Sequence, residues 1–306
     1  MLKHIAARLA QAVLAVFGVL TIVFFVMRLS GDPTLLLVPE GATTEQIAAL
    51  RHELGFDRPM LVQYAAYIAD LTRFDLGESL VQRAPVFGIV AERIPYTVAL
   101  ALGALVVALG IGIPAGLAMA IWRGSVIERG LAGFVLAGQS LPTFWSGILL
   151  ILLFGVNLGW LPTSGADSLA SLVMPSIALG ALTMSTFARM TRIAVLDELS
   201  RDYVAAARAR GLSLGAVVAR HVLRNAAIPV VTVAALEVGN LLAGAVIVET
   251  VFAWPGIGQL AMQSISARDF LIVQAVVLFV SLVYVGMNLV ADLAYAVIDP
   301  RIRIAR

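Results

Sequence analysis

From Leu9 to Met27 the chain carries no charged side chain. A bilayer's hydrocarbon core is about 30 Å thick and a helix rises about 1.5 Å per residue, so roughly 20 apolar residues make one crossing. This window suffices, and five others follow: Thr97–Ile121, Leu131–Phe154, the shorter Leu172–Phe187 with Pro175 near its start, Ile228–Val248 and Leu271–Ile298. Composition agrees: 60% of the 306 residues are hydrophobic and 13% are charged. A soluble domain is about 45–50% apolar and about 25% charged, so this chain lacks the polar surface to coat itself in water. The expected fold is an all-α integral membrane bundle of six helices.

Lys3 and Arg8 give the first window a basic start, as in a secretory leader. Its apolar run exceeds a leader core of about 7–15 residues, and Arg28-Leu29-Ser30-Gly31-Asp32 offers no clear cleavage site. It is read as a retained helix. Lysine and arginine near the spans set orientation. With the N-terminus inside, the inner segments hold Lys3, Arg8, Arg123, Arg129, Arg189, Arg192, Arg201, Arg208, Arg210, Arg220, Arg224, Arg301, Arg303 and Arg306. The short outer segments after the third and fifth windows hold only Arg268. Both termini are therefore expected in the cytoplasm, at the cell (inner) membrane. The chain divides into 1–29 (N-terminus and first helix), 30–95 (an extracytoplasmic subdomain) and 96–306 (the transmembrane core, with a cytoplasmic loop at 189–227). Cysteine is absent, which excludes disulfides and thiolate metal sites.

Two loops carry information. In the outer one, Thr43 and Gln46 have capping-box spacing ahead of the apolar stripe Ile47, Leu50 and Leu54. Pro59 can open a second helix with Leu61, Tyr64, Ala65 and Ile68 on one face. This segment reads as a lid on the bundle, a docking surface for an external partner, or both. In the inner loop, Ala205-Ala206-Ala207 favours a slim helix, Gly211 ends it, and Ser213 can cap a second helix bearing Val217, Val218, His221 and Val222. A helix–glycine–helix element with small residues at its tip suits a narrow groove on another protein. The alternative is a basic amphipathic hairpin resting on anionic headgroups.

At this loop the sequence resembles the permease subunits of type I ABC importers, which carry a Glu-Ala-Ala-x-x-x-Gly signature known as the EAA loop. Ala206-Ala207-x-x-x-Gly211 matches, with Ala205 standing where the signature has glutamate, and Ile228-Pro229 closes the element at longer spacing than in the general signature. Both departures resemble the dipeptide/oligopeptide/nickel branch, as does the run Asp202-Tyr203-Val204 through Gly211-Leu212-Ser213 and then His221-Val222-Leu223-Arg224-Asn225. The likeness spans the chain: Gly31-Asp32-Pro33, Glu53-Leu54-Gly55, Asp75-Leu76-Gly77-x-Ser79, Gly159-Trp160-Leu161-Pro162, Glu249-x-x-Phe252-x-Trp254-Pro255-Gly256-x-Gly258, Asn288-Leu289-x-x-Asp292 and Asp299-Pro300-Arg301-Ile302. Phe74 departs, since the branch has glycine there, and Glu237 stands where glutamine is common.

The resemblance implies an assembly. A second permease chain, related but different, completes the pathway; two ATP-binding subunits receive the cytoplasmic loops; an extracytoplasmic substrate-binding protein delivers cargo. Branch members carry di- and oligopeptides, glutathione or nickel, and peptide is the expected cargo. No Gly-x-x-x-x-Gly-Lys-Ser/Thr loop occurs, so the chain is not itself the ATPase; ATP and magnesium belong to the partners, and this chain is expected to bind no cofactor, metal or nucleic acid. The residues that the resemblance assigns to ATPase coupling are Asp202, Tyr203, Ala205, Ala206, Ala207, Gly211, Leu212 and Ser213.

A mid-span carboxylate is costly, so Glu237 should face the bundle interior or water, either touching cargo or bonding a neighbouring helix. Gly239, Asn240 and Gly244 join it as pathway candidates. Asp292 and Pro229 are read as structural, and the glycines of Gly112-x-x-x-Gly116 and of Gly239…Gly244 first as close helix contacts. An ion-coupled secondary transporter would show repeated halves and midplane coupling residues, and neither is evident. His4, His52 and His221 fall in separate segments, leaving no catalytic grouping for a membrane enzyme.

Overall fold

The computed structural model describes residues 2–29, 31, 34, 38 and 42–298. Asp32, Pro33 and the stretch from Asp299 to Arg306 lie outside the described residues, as do the side chains of Lys3, Arg8, Asn288 and Asp292. The helices are α1 (Leu2–Leu29), α2 (Thr44–Glu53), α3 (Met60–Thr72), α4 (Val86–Ile121), α5 (Val126–Ser140), α6 (Thr143–Leu150), α7 (Val173–Leu199), α8 (Asp202–Ala209), α9 (Leu214–Val217), α10 (Leu223–Val251), α11 (Ile257–Ser266) and α12 (Phe270–Ile298). A π-turn, Ile151–Asn157, extends α6, and another, Val218–Val222, joins α9 to α10.

The apolar windows lie on helix, the third interrupted at Leu141–Pro142. Among the described residues, four helical stretches are long and apolar enough to span: Val86–Ile121, Leu169–Leu199, Leu214–Val231, which runs on into the rest of α10, and Phe270–Met287 of α12. Val126–Ser140 and Thr143–Asn157 meet at 105° and add a fifth if taken as one span; α1 runs 28 residues, and Val13–Leu29 is its apolar stretch among the described residues. The third window, Leu131–Phe154, is thus a bent pair and not a straight rod. Pro142 causes the break: it lacks an N–H and drives Leu141 out of the helical region, to φ −85 and ψ 128.

By its internal contacts the chain forms two compact units, Thr97–Trp254 with Gly286–Arg306, and Met1–Tyr96 with Pro255–Val285. In the first of these, α7 is built inside out. It buries Ser176, Thr183, Ser185 and Thr191 among alanines and glycine, while Val98, Leu102 and Val106 of α4 and Phe134 and Leu136 of α5 point outward. Lipid is as apolar as leucine, so helices associate through close backbone approach at small residues. That seam is here: a Cβ on Gly112 would meet the Met184 carbonyl at 2.7 Å, and one on Gly180 the Ala104 carbonyl at 2.6 Å. At Gly116 it would collide with the Ala188 carbonyl and Thr191. Phe252 and Trp254 close one core of this unit with Leu100, Met174, Leu241 and Val248. Beside it, Thr97 Oγ1 donates to the fully buried Glu249 at 2.7 Å.

In the other unit, α3 packs on α1. Tyr64 and Tyr67 lie against Phe24 at 5.2 and 5.5 Å between ring centres, and Thr21 Oγ1 and the Tyr64 hydroxyl are 2.7 Å apart. The capping box at Thr43 and Gln46 forms in full, and Pro59 precedes α3 as expected. The face of α3 differs from the expected one: Tyr64 and Ile68 are half-buried, but Leu61 is 73% exposed and Gln63 and Tyr67 turn inward instead. A second core joins Val86 and Val90 to Ile257, Leu260, Ile272 and Val276. Ser79 Oγ donates to Asp269 across a sequence separation of 190 residues.

The end of α3 explains the departure at Phe74. Phe74 N–H bonds the Leu71 carbonyl and Asp75 N–H the Asp70 carbonyl, the Schellman pattern that closes a helix. That pattern needs a left-handed residue; Phe74 takes φ 59 and its ring is 94% exposed. A non-glycine residue there costs about 1–2 kcal/mol. Glycine's extra freedom in the unfolded chain returns about 0.5–1 kcal/mol of that. Phe74→Gly should therefore stabilise by about 0.5–1 kcal/mol, read as a raised melting temperature in detergent. Gly116→Val should do the reverse and lower the melting temperature, since overpacking typically costs about 1–3 kcal/mol. An unchanged melting temperature for Gly116→Val would contradict the seam.

Candidate functional site

The polar loop between α7 and α10 folds as a hairpin. Asp202, in the first turn of α8, suits the positive end of the helix dipole. Gly211 ends α8 at φ 87, with its N–H on the Arg208 carbonyl and the Leu212 N–H on the Ala207 carbonyl. This is the same Schellman closure as at α3, now with the residue that fits it. Ser213 then caps α9, its Oγ accepting from the Ala216 N–H at 3.4 Å. The chain runs through the π-turn into α10 without a stop. Pro229 therefore does not close the element; it sits inside α10, half-buried.

One face of the hairpin is anchored. Val204, Val217 and Val222 are buried with Ala120, Val195 and Ala226, and Tyr203, Ala207 and Leu212 pack against them. The opposite face is bare: Asp202, Ala205, Ala206, Ala209, Gly211 and Ser213 are exposed. His221, expected on the apolar side, is exposed as well, and the valines hold that side alone. A side chain at Gly211 would meet no atom within 4 Å, so only its backbone conformation demands glycine.

Polar contacts fix the root of the hairpin, and the sequence did not reveal them. Glu198 at the end of α7 accepts from the Tyr203 hydroxyl at 2.6 Å and from Asn225 Nδ2 at 3.1 Å. Arg201 pairs with Asp197 at 3.0 Å. Burial first, and then the bond to Glu198, push the Tyr203 hydroxyl above its ordinary range, so it stays protonated and donating near neutral pH. Farther along α7, Arg192 grips Glu128 with two N–H groups at 2.6 and 2.9 Å. Asn225 stood in the sequence as part of a pattern only; the tertiary fold shows what it holds.

The pathway candidates lie on α10. Glu237 is half-exposed, Asn240 and Gly244 are exposed, and the spacings of three, four and seven put the three on one stripe. Among the described residues no hydrogen bond or ion pair reaches the Glu237 carboxylate. Gly239 is buried on another side. At Gly244 an added Cβ would meet only Leu179, at an ordinary 3.6 Å, so this glycine makes no tight helix contact within the chain. The side chain of Asp292 lies outside the described residues.

Residues 112–304 match the family described as binding-protein-dependent transport system inner membrane component, and residues 1–101 match the N-terminal membrane component of such systems. The di/tripeptide transport system permease protein DppB of Pseudomonas aeruginosa (strain UCBPP-PA14) is 40% identical, over 99% of both chains. The glutathione transport system permease protein GsiC of Escherichia coli (strain K12) is 42% identical, also over 99% of both. Among solved structures, an inward-facing MetNI methionine ABC transporter superposes with a TM-score of 0.57 at 22% identity, covering 69% of this chain and 96% of that one. An amino acid ABC transporter crystallised with histidines gives 0.52 at 17% identity, covering 70% and 94%. At such identities these two speak for the fold.

Glu198→Ala removes both bonds at the hairpin root while leaving its valine core in place. Backbone amides of 202–217 should then exchange with deuterium at least about tenfold faster, the effect of losing roughly 1.4 kcal/mol of local stability. Tyr203→Phe, which deletes one bond, should give a smaller change.

Proposed function

The chain belongs to the binding-protein-dependent transport system inner membrane component family, and from that premise we propose that it forms half of the translocation pathway of an ATP-driven importer of short peptides. It is a multi-pass ABC importer permease, the membrane component and not the ATPase, and the ion-coupled alternative falls with that membership. Peptide cargo is supported by the relatives: one is named for di- and tripeptides, the other for glutathione, itself a tripeptide. In this reading a second permease faces the Glu237–Asn240–Gly244 stripe. Two ATPase subunits carry ATP and magnesium, both termini lie in the cytoplasm, and segment 30–95 meets an external binding protein.

The observation that carries the coupling role is the bare alanine–glycine face opposite an anchored valine face. Small exposed residues let a partner's groove approach the backbone of α8 closely, while Val204, Val217 and Val222 prevent the hairpin from yielding. Movement of the ATPase pair would displace the hairpin as a unit. Its root bonds to Glu198 pass that displacement to α7, and the unbroken run through Val218–Val222 passes it to α10. The bundle then has two packings, inward- and outward-open, selected by the nucleotide state of the partners. Cargo needs only modest contacts on the α10 stripe, since tight capture is the binding protein's task.

The test is uptake into vesicles holding the whole complex. Ala206→Trp fills the bare face without touching the valine core, and Gly211→Val opposes a left-handed backbone. Crowding a docking face typically costs about 1–3 kcal/mol, so ATPase binding and ATP-driven uptake of labelled dialanine should each fall about tenfold or more, with the chain still inserted. Normal coupled uptake by both variants would refute the lever. Competition by unlabelled peptides or glutathione is expected; competition by nickel ions alone would refute the cargo class.

A further inference from the structure

The unit formed by Met1–Tyr96 and Pro255–Val285 contains a cavity of about 240 Å³ that the transport reading does not use. Its charged and amide lining comes from Arg28, Arg58, Gln63, Asp70, Asp75 and Gln274, and the rest from Tyr67 and apolar residues of α3, α12 and the loops at 54–55 and 76–77. Two cations and two carboxylates thus share one small space. Among the described residues no ion pair joins them to each other. Opposite charges left unpaired around a cavity are complementary to a molecule that carries both signs.

The cationic side is held in place. The Arg28 guanidinium lies 4.6–5.2 Å from the ring centres of Phe24, Phe56 and Phe270. Its Nε donates to Gln63 Oε1 at 2.8 Å, and the Gln63 amide donates in turn to the carbonyls of Arg58 and Phe56. Arg28 is held among these groups, and among the described residues its terminal N–H groups make no hydrogen bond. On the other side, Asp75 accepts from the Gly77 N–H through one oxygen at 2.8 Å, which orients the carboxylate and leaves its second oxygen free to accept.

Gln274 supplies the independent observation. Its residue is 3% exposed, its side chain lines the cavity, and Nε2 has no hydrogen-bond partner among the described residues. Buried amides are almost always satisfied, and one that is not implies an acceptor that belongs there. An anionic oxygen held in the cavity that Gln274 lines would satisfy that donor.

We propose that this cavity binds a small zwitterion bearing an ammonium and an oxyanion a few bonds apart. Asp70 and Asp75 take the ammonium; Arg28, Arg58 and the Gln274 amide take the oxyanion. The volume lies below the roughly 300–1,000 Å³ of drug-sized sites, which fits a ligand of this size. Two sources offer the chemistry, a free short peptide or amino acid and the headgroup of an aminophospholipid. It shares no residue with the α10 stripe and does not depend on what the transporter carries.

The experiment is calorimetric titration of the full transporter complex, purified in detergent free of phospholipid, with three probes. These are dialanine, its N-acetyl amide, and a short-chain phosphatidylethanolamine. At least one zwitterionic probe should saturate, and the uncharged amide should not. Arg58→Gln and Asp70→Asn change exposed side chains that the fold does not need. Each should weaken that binding about tenfold or more, the worth of one charge-assisted hydrogen bond, and Gln274→Leu should weaken it without lowering the melting temperature. Saturation by dialanine alone assigns a free peptide, and by phosphatidylethanolamine alone a lipid headgroup. Absence of saturation by either, equal binding of the amide, or unchanged affinity in all three variants overturns the proposal.

Discussion

The near contact of α4 with α7 is what the larger unit is built on. With no water to squeeze out between helices, association rests on how near two backbones come and how many atoms then touch. Glycine at 112, 116 and 180 sets that distance, and the serines and threonines of α7 fill the resulting narrow seam. From this fixed α7 the rest takes its position: α10 lies along it, the hairpin root bonds to its end at Glu198, and α5 is tied to it by the Glu128–Arg192 pair. A looser α7 would let the hairpin move without moving anything else.

The hairpin divides its labour between two faces. Its inner face is specific and apolar; its outer face offers methyl groups, backbone and little else. This explains why neither chemistry nor charge marks the site. The arginines nearby, Arg208 and Arg210, are generic in a polar loop, whereas the left-handed turn at Gly211 is a geometric demand that one residue type meets without strain.

Local signals in the sequence proved legible where they depended on near neighbours. The Thr43–Gln46 box, the helix start at Pro59, the Ser213 cap and the stop at Gly211 all follow from residues within four positions. Apolar windows gave the helices but not their continuity: hydropathy averages over Pro142, which breaks a helix, and it cannot tell that Pro229 is carried through one. The burying face of α3 was misjudged because a distant contact decides it. Leu61 stays exposed, while Gln63 turns inward to accept from Arg28, a residue 35 positions away that no local period can reveal. The bonds of Glu198 with Asn225 and of Thr97 with Glu249 join residues 27 and 152 positions apart, beyond the reach of any local pattern.

The bond between Ser79 and Asp269 bears on biogenesis. The ribosome delivers residue 79 long before residue 269, and the unit containing both is interrupted in sequence by the whole of Thr97–Trp254. The early segment must therefore wait, incompletely packed, while the intervening helices are threaded into the bilayer, and it is sealed only when the final pair of helices emerges. Translation order thus makes the last part of the polypeptide the lock on the first, and a product cut short before Asp269 would be left open for quality-control proteases to find.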